Sequence, residues 1–435
     1  MTRYVIIGTG VASIAAAEAI RSNDDQGELS IIGDDPFVYY SRPGLAYYLT
    51  GELPEKWLFP YQKLDYQNLR AKFFTTSVQC ILPAEKAILL DTSAHLPYDQ
   101  LLIATGAQAV PLKIPGADLD GVYKLDHLSD ARILLGKARR RHTALVTGGG
   151  ITALELAEGL AGRGLKVHYI LRSERYWPNV LDEVESQLIE GRLVHDGIHI
   201  HHKSEITEIL GKKGQVIGAR LADGRQLRCN LLAYAIGINP RTRLAQEAGL
   251  TCERGILVDE FMQTNQPEIY AAGDVAQVYD PTTGKYILDS LWTPARQQGH
   301  TAGCNMSGFK LPYRKPAAFN ITRLAGLTTT IIGTVGRGND PDLMSIARGD
   351  SETWRQLPDA ILAQDGFDVN HLRLMLGEMH VLGAILMGDQ KLSPAIQTIV
   401  RDKIDISPIR ADLLAPNALI ADILADFWAG YQINN

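Results

Sequence analysis

"RYVIIGTGVASIAAAEAI" runs from Arg3 to Ile20 and changes its period part-way along. Residues 3–8 form an apolar run closed by glycine, the pattern of a strand buried on both faces. Residues 11–22 are alanine-rich, which predicts a helix. Between them lie Gly8-Thr9-Gly10-Val11-Ala12-Ser13. Gly8 permits the tight turn out of the strand, and Gly10 lets the backbone approach a pyrophosphate lying over the helix N-terminus. Small residues at the far end of the motif, Ala12 and Ser13, let helix and strand pack. "ELSIIGDD" (28–35) then reads as a second strand, and either Asp34 or Asp35 stands where an acid would accept a ribose diol.

The pattern restarts at 142–150, "HTALVTGGG", followed by a helix over 152–163 and a strand over 165–171, "LKVHYIL". The second turn reads Gly148-Gly149-Gly150-Ile151-Thr152-Ala153, and Gly148, Gly150, Ile151 and Thr152 are its candidate binding positions. Two such units in one chain predict two dinucleotide-binding domains, each with a mostly parallel sheet. Strand-rich text, "AILLDTSAHLPYDQLLIATG" (87–106), lies between them. From about residue 319 the chain changes character. "FNITRLAGLTTTIIGTVG" (319–336) and "MHVLGAILMG" (379–388) read as strands, and "SPAIQTIVRDKI" and "LIADILADFWAGY" read as amphipathic helices.

The chain has 435 residues, 46% of them hydrophobic and 21% charged, with a net charge of −6. That is the composition of a soluble globular protein and argues against nucleic acid as the main partner. No apolar run reaches the roughly 18 residues that a membrane span requires, and the glycine-broken N-terminus does not read as a signal peptide. Cys80, Cys229, Cys252 and Cys304 are scattered with no C-x-x-C pair, which suits a reducing cytoplasm and offers no disulfide, iron–sulfur or zinc framework. "HDGIHIHHK" holds His195, His199, His201 and His202, with His199 and His201 on one face of a strand. Such an edge is more often solvated than metal-bound, and no metal site is expected.

Three further segments carry a resemblance. "YDQLLIATGAQAVP" (98–111) is similar to the Ala-Thr-Gly segment joining the two domains of FAD-dependent pyridine nucleotide oxidoreductases. "LLAYAIGINPRTRLAQEAGL" (231–250) resembles the return strand of their NAD(P) domain, and "TNQPEIYAAGDVA" (264–276) resembles their second FAD motif. The resemblance covers residues 3 to about 310, with the motifs in the family's order. Within the family, "SRPGLAYYL" and "LWTPARQQGHTAGCNM" look most like the rubredoxin reductases, the ferredoxin reductases and the N-terminal part of the nitrite reductase large subunit.

The resemblance implies a glutathione-reductase-type α/β fold: an FAD domain over 1–112 and 239–318, an NAD(P) domain over 113–238, and a C-terminal α+β interface domain over 319–435. It implies FAD held by Ala104, Thr105, Gly106, Gly273 and Asp274 as well as by the first glycine turn, with Asp274 on the ribitol chain. Gly237 falls in the return segment beside the second nucleotide. Arg42 would serve either the FAD pyrophosphate or the isoalloxazine edge. Trp292 stands where the family has a tryptophan near the flavin, and Glu155 matches the residue that meets the nicotinamide carboxamide. Pro43 occupies the place where NADH oxidases and coenzyme A disulfide reductases carry a redox cysteine. Tyr47 replaces the lysine that ferredoxin reductases put near the flavin.

The second nucleotide is NADPH or NADH. The acid that would accept both ribose hydroxyls is absent at Leu171, while Arg172 and Arg175 follow it and lean the reading towards a 2′-phosphate, with Glu174 opposing. Without a thiol relay, hydride is expected to pass from nicotinamide to flavin N5, and electrons to leave the flavin directly. The first expected acceptor is a small redox protein such as rubredoxin or ferredoxin. The alternatives are an NAD(P)H oxidase, a quinone or small-molecule reductase, and a non-catalytic FAD-bearing subunit of a larger assembly. A homodimer through the C-terminal domain is a further expectation.

Overall fold

The computed structural model describes residues 1–281, 284–335, 371–416 and 418–434. The opening stretch forms the strand Arg3–Ile7 and the helix Val11–Asn23, joined by the expected glycine turn. That strand is central in a five-stranded parallel sheet ordered Ile269–Ala271, Gln100–Ile103, Arg3–Ile7, Glu28–Gly33, Ala71–Thr75. The strand at 269–271 therefore returns to the first sheet after the whole second unit has been completed. Ile6, Ile31 and Leu102 are fully buried in its core, each contributing about 1.5–3 kcal/mol of transfer free energy.

The second unit repeats the plan. Its parallel sheet runs His199–His201, Lys166–Ile170, Thr143–Thr147, Leu231–Tyr234, Val122–Lys124, with the helix Ile151–Gly162 following the second glycine turn. Both sheets present the C-terminal ends of their strands to glycine turns, the place where open α/β sheets bind ligands.

The helix Trp292–Met306 packs on Val11–Asn23 at very close range. A Cβ at Gly299 would lie 2.1 Å from the Ala12 carbonyl oxygen, and one at Gly303 would lie 2.4 Å from that of Ala16. The i, i+4 glycine pair thus lets two backbones touch, and it brings Trp292 towards the first turn. A branched residue at Gly299 would force the helices apart.

The last region is a four-stranded antiparallel sheet ordered Phe319–Leu324, Leu327–Gly333, Val381–Met387, His371–Leu376. The segment read as one strand at 319–336 is a hairpin. Ala325 and Gly326 both take positive φ, 48° and 76°, and turn the chain tightly between paired Leu324 and Leu327. The helix Ser393–Arg401 buries Ile396 and Ile399 against this sheet, and a helix follows at Ile420–Asn434. Residues 336–370 of the expected C-terminal domain lie outside the described residues.

Partly buried contacts of Arg373 tie this sheet to the second unit. Arg373 Nε donates to Glu185 Oε1 at 2.9 Å, and its Nη2 donates to the Val180 carbonyl at 2.7 Å. Burial disfavours the Glu185 carboxylate, but the bonds from His371 and Arg373 outweigh it and leave its pKa lowered.

Candidate active site

A trough opens over the first glycine turn. It is lined by Gly8, Gly10 and Ala12, by Asp34 and Asp35, by Ala104, Thr105 and Gly106, and by Gly273 and Asp274. Gly8 has φ +126°, and a Cβ there would meet the Ala104 carbonyl oxygen at 2.2 Å, so only glycine passes. Gly10 differs: a Cβ there meets no protein atom within 4 Å, so what it would enter is the trough. Gly10 caps the helix Val11–Asn23 with no side-chain hydrogen bond, leaving first-turn amides open to an anion. Ser13 is fully buried beneath the turn and does not line the trough. These features fit a dinucleotide pyrophosphate.

Asp35 accepts from the Phe37 amide at 3.2 Å and lies 3.4 Å from His127 Nδ1. Burial opposes its charge, but His127 and the Phe37 amide more than offset this and hold its pKa below the ordinary carboxylate value. Gly273, at φ +79°, donates its amide to Gln298 Oε1 at 2.9 Å, which fixes the turn presenting Asp274.

The trough continues into a deeper cavity, since Gly10, Val11, Arg42, Asp274 and Ala295 line both. Tyr39, Tyr40, Pro43 and Trp292 supply one wall of this cavity, and Leu125, Asp126, Thr152 and Glu155 of the second unit supply another. Pro43 precedes the helix Gly44–Thr50, so its ring closes the wall and presents no reactive atom. The Trp292 indole donates to the Tyr39 hydroxyl at 3.3 Å, and the Arg296 guanidinium stands 5.7 Å from its ring. Tyr47 does not line the cavity. It is half-buried against the apolar cluster of the second unit, and burial with the nearby Glu155 charge pushes its hydroxyl pKa up.

A third cleft surrounds the second glycine turn and holds Gly148, Gly149, Gly150, Ile151, Thr152 and Gly237. Gly148 has φ +142° and a Cβ there would lie 2.1 Å from the Ala235 carbonyl oxygen, repeating the constraint at Gly8. Thr152 and Leu125 line this cleft and the inner cavity alike, so the two communicate.

The two arginines expected to read a 2′-phosphate are placed differently. Arg172 lines the cleft, 3.9 Å from Glu205 Oε1. Arg175 does not: its guanidinium donates to the Leu181 and Pro178 carbonyls of its own loop. Leu171, 1% exposed, is packed in the core with its amide bonded to the His201 carbonyl. Glu205 and Arg254 also line the cleft. Neither lies in a motif, and both arrive from segments far from the glycine turn, so no local signal announces them. The same holds for His127, whose Nε2 lies 2.8 Å from Arg241 Nη2 while its Nδ1 faces Asp35.

Residues 2–299 match the family described as pyridine nucleotide-disulphide oxidoreductase. The chain belongs to that family. It is 27% identical over 408 residues to the nitrite reductase [NAD(P)H] of Bacillus subtilis, covering 93% of this chain but only 48% of that protein. It is 28% identical over 333 residues to the rubredoxin-NAD(+) reductase of Pseudomonas putida, covering 76% of this chain and 86% of the other. Its fold matches that of a solved putidaredoxin reductase–putidaredoxin complex with a TM-score of 0.82 over 98% of each chain, at 21% identity. The chain thus spans about half the length of the nitrite reductase.

As a member of this family the chain uses FAD and NADH or NADPH. Despite the family's description, all four cysteines are free and none lines the cavity. Among the described residues no helix is long and apolar enough to cross a membrane.

Among the described residues, two clusters with metal-ligand chemistry lie elsewhere. Asp182, Glu185 and His371 converge, but the Arg373 guanidinium already pairs with both acids. His168 on the strand Lys166–Ile170 meets His199 and His201 on the neighbouring strand. Its Nδ1 lies 2.9 Å from His201 Nε2, and its ring stacks on that of His199 at 5.0 Å. Burial, then the neighbouring imidazoles, push the His168 pKa down to about 4, so the ring is neutral.

Proposed function

We propose that this chain draws reducing equivalents from NADH or NADPH through FAD and delivers them to a small redox protein of the rubredoxin or ferredoxin type. When bound, the two cofactors supply hydride transfer to the flavin and onward release of electrons. The protein's residues orient and enclose. Gly8, Gly10 and Asp274 would hold FAD along the trough, Arg42 would reach it where trough and cavity meet, and Thr152 and Glu155 would seat the nicotinamide end against the cavity. Pro43 keeps that wall inert, so no thiol intervenes.

The observation that carries the acceptor reading is the position of Trp292. It lines the inner cavity and also an outer groove with Arg296, His300, Leu311, Tyr313 and Arg314. A cationic, partly aromatic groove one side chain away from the cavity suits an acidic protein partner. The rubredoxin reductase among the relatives agrees with this class of acceptor.

Steady-state turnover with ferredoxin or rubredoxin as acceptor tests the proposal. Arg314→Glu should lower kcat/KM for the protein acceptor by about tenfold, equivalent to about 1.4 kcal/mol, and weaken its salt dependence, while flavin reduction by NAD(P)H stays unchanged. Equal turnover by Arg314→Glu and the parent would contradict the groove. A second reading rests on the share of the nitrite reductase that this chain covers: the same unit can serve as the electron-input part of a larger assembly. In that case electrons leave by the same groove to a partner subunit.

A further inference from the structure

We propose that His168 and His201, with His199 beside them, bind a transition-metal dication such as Zn²⁺ or Cu²⁺ at the edge of the second parallel sheet. The strand His199–His201 is the edge strand, paired in parallel with Lys166–Ile170 so that His168 stands opposite His199 and Ile170 opposite His201. Residues in lateral register share a face of a sheet, and alternate residues of one strand do too. The register therefore puts all three imidazoles on one side, at a margin where, among the described residues, one flank of the sheet has no further strand.

The spacing is that of a chelate. Two imidazole nitrogens each about 2.0–2.1 Å from one ion, at roughly 90–110° to each other, stand about 2.9–3.4 Å apart. His168 Nδ1 and His201 Nε2 are 2.9 Å apart, joined by an N–H···N hydrogen bond that a bound ion would replace. His199 is exposed, its ring stacked 22° from coplanar with that of His168, and a rotamer change would bring a third nitrogen to the same ion. Imidazole suits Zn²⁺ and Cu²⁺, and solvent can complete the coordination at an open edge. His202 belongs to the other face, with its Nε2 3.0 Å from Glu190 Oε2, and takes no part. An ion here would pin the edge strand to Lys166–Ile170, whose continuation reaches Arg172 in the nucleotide cleft.

The test is equilibrium dialysis of the purified, untagged, FAD-loaded protein, stripped with chelator, against Zn²⁺. The expected result is one saturable ion per chain, reduced in affinity at least tenfold by His168→Gln or His201→Gln and abolished in the double variant. His202→Gln should bind as the parent does. Flavin content and melting temperature report that each variant is folded, and Cu²⁺ loading should give an electron paramagnetic resonance spectrum with nitrogen couplings that the double variant lacks. Absence of saturable Zn²⁺ binding would overturn the proposal. So would equal binding by the double variant, or binding that is lost with Glu185→Gln instead.

Discussion

Gly10 and Asp274 line the same trough and the same cavity behind it, although the entire second nucleotide-binding unit separates them in the chain. The return of the strand Ile269–Ala271 to the first sheet makes this possible, and the Gly299–Ala12 helix contact holds it.

Gly10→Val should abolish FAD retention with little loss of fold. Gly10 has φ −79° and ψ −176°, an extended conformation open to valine, and the added side chain meets no protein atom at its Cβ. The ratio of flavin to protein absorbance in purified material reads the outcome. A fully yellow variant would mean that FAD does not pass over this residue.

Arg172→Ala and Arg175→Ala should separate cleanly. Arg172 faces the cleft, so its loss should weaken NADPH relative to NADH by about 1.5–3 kcal/mol if a 2′-phosphate sits there. Arg175 braces its own loop through two carbonyls, so its loss should lower stability by about 1 kcal/mol and affect both nucleotides alike. KM for each nucleotide in each variant, with a melting curve, checks the pair. Glu205→Gln should move the preference further towards NADPH by relieving repulsion.

How much of this was legible beforehand depended on the range of the cause. The glycine turns were readable because Gly8 and Gly148 answer to backbone contacts that no other residue permits, and such constraints leave a mark at fixed spacing. The strands at 3–7 and 28–33 are readable because both faces are buried, which leaves near-continuous apolar runs. The fate of Arg175 was not readable, since spacing cannot say whether a guanidinium turns to a cleft or to its own loop. Nor was Tyr47, whose exclusion from the cavity depends on how the helix Gly44–Thr50 rolls against Ile151–Gly162. Glu205, Arg254 and His127 reach their places through tertiary packing alone. The hairpin at 319–333 is hidden in the sequence because "LAGL" is a two-residue turn flanked by apolar residues and so reads as a continuous strand.

Glu158→Gln should stabilise the protein at alkaline pH and leave it nearly unchanged near pH 4. Burial raises the Glu158 pKa from 4.5 to about 7, with Arg323 and the Ala325 amide only partly opposing it. A folded-state pKa above the unfolded value means that the folded chain binds the extra proton, so stability falls as pH rises from about 4.5 to about 7 and then levels. The expected gain for the glutamine variant above pH 7 is about 1–3 kcal/mol, read as a rise in Tm at pH 8 that vanishes near pH 4. A variant destabilised at pH 8 would show that the carboxylate is held charged by Arg323.

The central claim is that NAD(P)H reduces FAD in this chain with no thiol between the flavin and its acceptor. Anaerobic titration of the purified yellow protein with NADPH, and separately with NADH, tests it directly through flavin absorbance. Complete bleaching at about one equivalent per FAD is expected with at least one of the two nucleotides, since the flavin alone stores the electrons. The same endpoint is expected after Cys80, Cys229, Cys252 and Cys304 are replaced by serine or alanine. No bleaching with either nucleotide would contradict the account, and so would an endpoint near two equivalents that falls to one when the cysteines are removed.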